Sequence, residues 1–351
     1  STDATDAEKH RLRAEALYQR AFEYLALVNI YARHYHKETA ATDYGIPLIT
    51  KDLVDQTYTR ATVAEVYKQI EDDLKEASKS LKEVPINLFH PYLGSLHSFY
   101  ARLYLYMGRY DDALTEAKEA LKLNDKLQDL CPYQTKDKTT WGRIVLPDGT
   151  PMLEKDDNPE AVFVRLQSGR VTIPVSKDFL ATFERNLPAG ATDQRRALFY
   201  ADDTVNMGRT DYFYGETCYI LYAYQNVGFS TVENMLIATE CEARVGSKDN
   251  AMSYVNKLRD NRIKNNVALT ATDKDEALRI VLDERRREFA FTGFHRLIDL
   301  KRLNYEDKFQ KNITHTADGE TFTLAPNDNR YIFPINQMIL NYNPGMPQYE
   351  R

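Results

Sequence analysis

The chain has 351 residues, of which 43% are hydrophobic and 28% are charged, and its formal net charge is −6. This balance predicts a folded globular protein, and the lack of a basic stripe argues against a nucleic-acid partner. No apolar run approaches the roughly 20 residues that span a bilayer. The three cysteines are too few and too scattered for a disulfide framework.

Two long helices are predicted at the start of the chain. The stretch YGIPLIT, residues 44–50, separates them, because its glycine and proline interrupt a helical pattern. The second helix is predicted from about residue 59 to about residue 82, just before Pro85. In the first, over residues 6–35, apolar side chains recur with a helical period at Leu12, Ala16, Leu17, Ala21, Tyr24, Leu25, Val28 and Tyr31.

Residues 97–123 match the small and aromatic positions of a tetratricopeptide-type helix pair. Two antiparallel helices approach closely only where small residues face each other, and Gly108 is predicted at the turn, where a Cβ would be unfavourable. A weaker copy over residues 234–262 keeps the spacing with Gly246 and Ala251. We therefore expect stacked helix pairs over about 6–123 and 231–303, the first with Ala101, Tyr104, Tyr110, Ala113, Ala117 and Ala120 between its helices.

The pattern changes over about residues 124–230, where Pro, Gly, Asp and Thr separate short apolar runs such as residues 161–166 and 218–224. We expect short strands and irregular segments there, and an irregular tail over residues 304–351. A long irregular insertion on a rigid helical frame is a common place for a binding surface. The whole chain is predicted to be one mostly α domain that presents this insertion to a ligand.

The stretch ERRREFAFTGFHRLIDLKR, residues 284–302, combines a charged helix with an apolar turn. Asp283 and Arg287 are four residues apart on a helix, as are Glu284 and Glu288, so carboxylates and guanidinium groups are concentrated in one region. We expect a buried or half-buried ion-pair network here, formed by Glu284, Arg285, Arg286, Arg287 and Glu288, rather than a ligand site. Phe289, Phe291 and Phe294 are expected in the core.

This stretch resembles the ERRRELAFEGHRWFDLRR signature of the SusD/RagB family, with Leu297 and Ile298 in place of the usual aromatic step. Four further stretches resemble the family in the same order along the chain. They are RAEALYQRAFEYLALVNIYARHY with YGIPLIT after it, NPEAVFVRLQS at residues 158–168, SKDFLATF followed by Asp193, Arg195 and Arg196, and YIFPINQMILNYNPGMPQY with Pro334, Asn343, Pro344 and Gln348.

The resemblance implies a mostly α, SusD-like fold and a non-enzymatic function. It implies a lipid-anchored protein on the surface of the outer membrane that binds an oligosaccharide, or less often a peptide, and acts as a lid on a SusC-like TonB-dependent transporter. Members usually carry an N-terminal portion with a lipidated cysteine, which would be the only membrane contact. Since Ser1 stands almost directly before the first helix, we expect a trimmed chain or a short member.

Candidate ligand residues are aromatic rings in polar loops, because a sugar ring stacks on aromatic faces while its hydroxyls need polar partners. Trp141 is the only tryptophan, and Tyr212 and Tyr214 have Arg209 and Asp211 beside them. Packing against the helices is the alternative for each ring. Tyr224 lies in a predicted strand, and packing is the favoured interpretation there.

Two other functions remain open. A tetratricopeptide scaffold for a protein or peptide partner would explain the helix pairs, although the long insertion counts against it. A glycoside hydrolase would need paired carboxylates that sequence spacing does not reveal. We find no catalytic, phosphate-binding or dinucleotide motif, expect no cofactor or metal, and interpret Asp156–Asp157 and Asp202–Asp203 as solvated turns.

Overall fold

The computed structural model describes residues 4–52, 58–136, 144–168, 173–202, 216–220 and 224–351. Helices dominate these residues, which confirms the mostly α class. The helices are α1 (Asp6–Tyr31), α2 (Val63–Ala77), α3 (Leu93–Tyr106), α4 (Tyr110–Leu123), α5 (Lys177–Glu184), α6 (Gln194–Phe199), α7 (Thr231–Arg244), α8 (Lys248–Asp260), α9 (Lys274–Glu288), α10 (His295–Leu303) and α11 (Gln337–Tyr342).

The first helix is shorter than predicted, and its buried stripe begins at a later residue. It begins with a capping box at Thr5 and ends at Tyr31, where the backbone of Ala32 becomes extended. Lys301 of α10 donates to the terminal carbonyls of Asn29 and Ala32, both at 2.5 Å, so these acceptors are satisfied from another helix.

The burial stripe of α1 starts at Ala14 and Tyr18, whereas Leu12 is exposed. Arg20 pairs with Asp73 near the end of α2, so the first turns of α1 extend past α2 and cannot bury their apolar side chains against it. The second helix is also shorter than predicted, because a capping box formed by Thr62 and Glu65 starts it at Val63.

Helices α3 and α4 form the predicted close pair. The four alanines Ala101, Ala113, Ala117 and Ala120 are buried, which lets the two backbones approach. Gly108 has a φ of 71° at the turn, in the left-handed region where a side chain would be strained. The weaker copy is the pair α7 and α8.

Helix α7 lies at the centre of the helical part and is buried from Thr231 to Ala243. It packs against α3, α4, α8 and α9. Its acidic side chains are neutralised by neighbours: Glu233 pairs with Arg102 of α3, and Glu242 pairs with Lys118 of α4 at 2.6 Å. Charge pairing therefore supplements apolar packing in the middle of the stack.

The segment between α4 and α7 carries short antiparallel strands. The strands of the described chain are β1 (Gln134–Thr135), β2 (Ile144–Val145), β3 (Ala161–Phe163), β4 (Leu166–Ser168), β5 (Ile173–Pro174), β6 (Thr192–Asp193), β7 (Tyr200–Asp202), β8 (Thr217–Tyr219), β9 (Tyr224–Asn226), β10 (Phe229–Ser230), β11 (Ile263–Lys264), β12 (Ile313–Ala317) and β13 (Glu320–Leu324). They pair as β1 with β2, β3 with β10, β4 with β9, and as the three-stranded sheet β5-β8-β7, while β6 pairs with β11.

This segment also contains helices α5 and α6, which the sequence did not predict. An apolar cluster holds them to the sheet, with Phe179 and Phe183 of α5 packed on Tyr200 of β7. The tail is more regular than expected as well, because β12 and β13 form a hairpin. Asp318 and Gly319 close it with φ values of 52° and 82°, as a two-residue turn requires.

Candidate functional site

The five predicted ligand residues lie outside the described part of the chain. They fall within residues 137–143 and 203–215, so their contacts stay predictions. The described strands beside these segments are paired: Thr135 lies opposite Ile144, and Asp202 lies opposite Thr217. The residues concerned are Trp141, Arg209, Asp211, Tyr212 and Tyr214.

The carboxylate of Glu284 lies at the centre of a buried ion-pair network on α9. It accepts from Arg287 Nη2 at 2.7 Å, from Arg259 Nη1 at 2.8 Å and from Arg195 Nη2 at 2.9 Å. Its side chain is 0% exposed, and those of the three arginines are each 1% exposed. Three guanidinium groups from α6, α8 and α9 therefore converge on one carboxylate.

Glu288 extends this network towards the strands. It accepts from Arg195 Nη1 and from Arg262 Nη2, both at 2.9 Å, and Arg262 Nη2 also reaches Glu160 at 2.6 Å. Glu160 directly precedes β3. The network therefore joins α9 to α6, to the end of α8 and to the segment between the helical blocks.

Arg285 faces away from Glu284, towards α10. Its Nε donates to Asp299 at 2.9 Å, and Arg302 donates to the same carboxylate at 2.8 Å. Arg302 continues to Glu240 of α7 at 2.6 Å. The arginine run thus pairs on two sides of α9.

The spacing of four residues does not decide the pairing inside the run. Asp283 does not pair with Arg287 but with Arg185, at 3.0 Å, and Arg287 pairs with Glu284 instead. Helix geometry places residues three apart as close as residues four apart, so sequence spacing alone does not choose between them.

The arginines favour the ionised form of Glu284 and Asp299. Burial alone would raise the pKa of Glu284, but Arg287, Arg195 and Arg259 outweigh burial and hold this pKa well below its ordinary value. Burial opposes ionisation of Asp299 too, and Arg285 followed by Arg302 again lowers its pKa. The carboxylates of Glu284 and Asp299 are thus each compensated by at least two guanidinium groups, as in a structural ion-pair network.

A strained turn follows the network. Phe291 has a φ of 61°, which is unfavourable for a bulky residue, and its ring packs on Tyr219 with centroids 4.6 Å apart. Phe289 is buried, as expected for the core. Phe294 contradicts that expectation, because it is 46% exposed and touches Phe333 at the surface. The turn before α10 points its ring outwards.

A cleft of about 700 Å³ lies on one side of this turn, and we call it the arginine cleft. Its volume lies in the range of small-molecule sites. Both apolar and charged side chains line it: Val175, Phe179, Phe291, Leu300 and Ile313 are among the apolar ones, and Arg285, Arg286, Arg296, Lys311, Asp178 and Asp299 are the charged ones.

A smaller groove of about 170 Å³ lies on the other side of the turn, and we call it the tyrosine groove. The ring of Tyr224 lines it and is 41% exposed, with the Lys155 ammonium 4.5 Å from the ring centroid. The amide side chains of Asn158 and Asn226 also line it. The interpretation of Tyr224 as a packing residue is therefore wrong, because its ring is available at the surface beside polar groups.

Sequence patterns did not identify either cavity. Arg296 and Tyr224 were visible in the sequence, but their exposure depends on how the turn at residues 290–293 separates two clefts. Within the described residues, no group of three or more His, Cys, Asp or Glu side chains is arranged to bind a metal ion. Nor is any helix of the described part both long and apolar enough to cross a membrane.

Solved structures of SusD-like proteins share this fold. A SusD superfamily protein from Bacteroides thetaiotaomicron gives a TM-score of 0.74 at 18% identity, covering 99% of this chain and 80% of that chain. A SusD-like carbohydrate binding protein from Bacteroides vulgatus gives 0.69 at 19% identity, covering 98% and 78%. A SusD-like protein from Bacteroides fragilis gives 0.69 at 16% identity, covering 99% and 80%. No curated protein matches the chain.

Fold and helix signature together define a SusD-like helical-repeat protein. Residues 1–105 match a SusD-like family described as starch-binding and associating with the outer membrane, and residues 232–351 match the SusD family. The chain belongs to the SusD/RagB family, which confirms the resemblance seen in the sequence. Proteins of this family are outer-membrane-associated binding proteins and are not known as enzymes.

Proposed function

We propose that the protein captures an oligosaccharide at the cell surface and delivers it to a SusC-like TonB-dependent transporter in the outer membrane. Family membership carries this proposal, because one of the two matched family models is described as starch-binding and associating with the outer membrane. A lipid anchor would hold the protein at that surface. The two clefts beside the turn at residues 290–293 support a binding role.

The tyrosine groove has the composition that sugar recognition requires. An exposed phenol ring offers a flat apolar face to sugar C–H groups, and the amides around it offer donors and acceptors to hydroxyls. The candidates Trp141, Tyr212 and Tyr214, with Arg209 and Asp211, belong to the same proposal, as aromatic and polar residues of neighbouring loops in the sequence.

Calorimetric titration against a panel of oligosaccharides tests the proposal. We expect saturable binding to one glycan class, weakened roughly threefold to tenfold by Tyr224→Ala or Trp141→Ala, because each loses one stacking surface. Tyr342→Ala is the matched control, since this tyrosine is 83% exposed and lines neither cleft. Binding that all three variants retain would place the site elsewhere. No binding across the panel would contradict carbohydrate capture.

The transporter partnership needs a separate experiment. Affinity purification of the tagged protein from detergent-extracted outer membranes should recover a TonB-dependent transporter as the principal partner. Recovery of the protein alone, at a detergent concentration that preserves other outer-membrane complexes, would contradict the lid function.

A further inference from the structure

The arginine cleft contains more positive than negative side chains. Arg285, Arg286, Arg296 and Lys311 line it, and Asp178 and Asp299 are the acidic residues among its lining. Four cations therefore share two carboxylates, which leaves an excess of two positive charges in a concave site. A charge excess of this kind inside a cleft attracts anions from solution.

Both carboxylates are already engaged twice. Asp178 accepts from Arg286 Nη2 at 2.8 Å and from Lys311 Nζ at 2.6 Å. Asp299 accepts from Arg285 Nε and also from Arg302, which belongs to the network behind the cleft. Neither acid is available to neutralise a further guanidinium group.

Arg296 and the Nη1 group of Arg285 are the cationic groups of the cleft without a carboxylate partner in the described structure. Within the described residues, the Arg296 guanidinium makes no hydrogen bond or ion pair, although burial and the neighbouring Arg286 lower its pKa to about 10. The Arg285 side chain is 1% exposed, and its buried Nη1 has no acceptor in that same part of the structure. A buried charged donor without an acceptor is costly, so Arg285 Nη1 and the unpaired guanidinium of Arg296 beside it are the groups of the cleft that an anion would satisfy.

We propose that the arginine cleft binds an anionic substituent, a carboxylate or a sulfate, on a sugar ring of the captured oligosaccharide. The inference rests on the proposed function and specifies its ligand as an acidic glycan. A guanidinium group matches either oxyanion with two parallel hydrogen bonds. The apolar walls at Phe291, Leu300 and Ile313 then face the C–H surface of the ring that carries the anion.

Titration calorimetry with trigalacturonic acid, a sulfated galactose trisaccharide and neutral galactotriose tests this inference. We expect the acidic ligands to bind at least tenfold more tightly than the neutral one, with an affinity that falls as salt is added. Arg296→Gln should weaken acidic binding roughly ten- to a hundredfold and leave neutral binding unchanged, because it removes charged hydrogen bonds to the anion. The carboxylate and sulfate arms show which oxyanion the cleft prefers.

Two further variants make the result specific. Arg279→Gln removes the same charge from an exposed position of α9 outside the cleft and should have no effect on binding. Arg296→Lys keeps the charge but not the fork of donors, and should recover only part of the affinity. Thermal unfolding of each variant checks that it folds; Arg296→Gln should be as stable as the parent, because no partner loses a bond.

The outcomes separate the inference from the proposed function. Equal binding of neutral and acidic trisaccharides, unchanged by Arg296→Gln, would overturn the inference while the function stands. A third outcome is that no trisaccharide or panel glycan binds, whereas inorganic sulfate binds and Arg296→Gln abolishes the sulfate binding. That outcome would support the anion site and contradict carbohydrate capture. Failure of sulfate and of both acidic trisaccharides to bind would overturn the inference.

Discussion

Replacing Glu284 by glutamine removes the centre of the ion-pair network without changing its shape. Two of its three partners then lose their only carboxylate in the described structure, because Arg259 and Arg287 make no other ion pair there. Arg259 keeps the carbonyl of Asn186, but a neutral acceptor does not compensate its charge. Arg195 is better protected, since it also pairs with two other acids.

The expected cost follows from these unpaired charges. Breaking a buried ion pair from one side typically costs about 3–5 kcal/mol, and here two buried guanidinium groups lose their counterion. The amide of the glutamine variant worsens this, because its NH₂ group points a donor at donors. We therefore expect Glu284→Gln to lower the free energy of unfolding by at least about 3 kcal/mol.

Urea unfolding followed by circular dichroism measures this difference, provided that the slope of the transition stays constant. Glu320→Gln is the control, because it removes the same charge from an exposed strand of the tail hairpin. Adding Arg287→Met to Glu284→Gln should recover part of the loss, since one uncompensated cation is removed. A loss for Glu284→Gln below about 1 kcal/mol, like that expected at an exposed site, would refute the view that this network stabilises the fold.

Three further variants test acid stability and the two helix-pair turns. Burial, followed by two cations of α10, lowers the pKa of His34 to about 3, so only the unfolded state gains this proton as the pH falls below about 6.5. This histidine alone should then lower the stability by about 1.4 kcal/mol per pH unit between pH 6 and 4. His34→Gln, unlike exposed His10→Gln, should reduce the overall slope by that amount in urea titrations at each pH. Gly108→Ala should cost about 1 kcal/mol through its left-handed backbone although it meets no atom within 4 Å. Gly246→Ala should cost a similar amount because of a steric clash, since its Cβ would lie 2.0 Å from Oε2 of Glu242. An unchanged urea midpoint would contradict the backbone strain expected for Gly108→Ala or the clash expected for Gly246→Ala.

The helices were predictable because their signals are local. Alanine spacing and a turn glycine sufficed for the pair α3 and α4, and the predicted charge run does lie on one helix, α9. Helix ends were less predictable. The last carbonyls of α1 are satisfied by Lys301, and the start of its buried stripe depends on the length of α2, which are contacts made far along the chain. The hairpin of the tail had a local signal, the Asp318–Gly319 pair between alternating residues, and it was overlooked.

The candidate sites were less predictable than the fold. Exposed rings were sought in polar loops, whereas Tyr224 is exposed at the start of a strand beside the turn after α9. The partners of the arginines were equally hidden, because Glu284 contacts residues 25 and 89 positions away in sequence. Side chains that meet across such distances leave no periodic signal in a single sequence.

The arrangement around α9 explains how one arginine-rich motif serves both stability and a cleft. Glu284 and Arg287 belong to the buried side, where every charge has a partner, and Arg285 secures the next helix through Asp299. These bonds fix the strained turn that separates the two clefts. Arg286 lies beyond the network and, with Arg296 from the following helix, supplies the positive wall of the arginine cleft. A ligand site built on such a rigid support requires little reorganisation on binding, which favours affinity and selectivity for an anionic ligand.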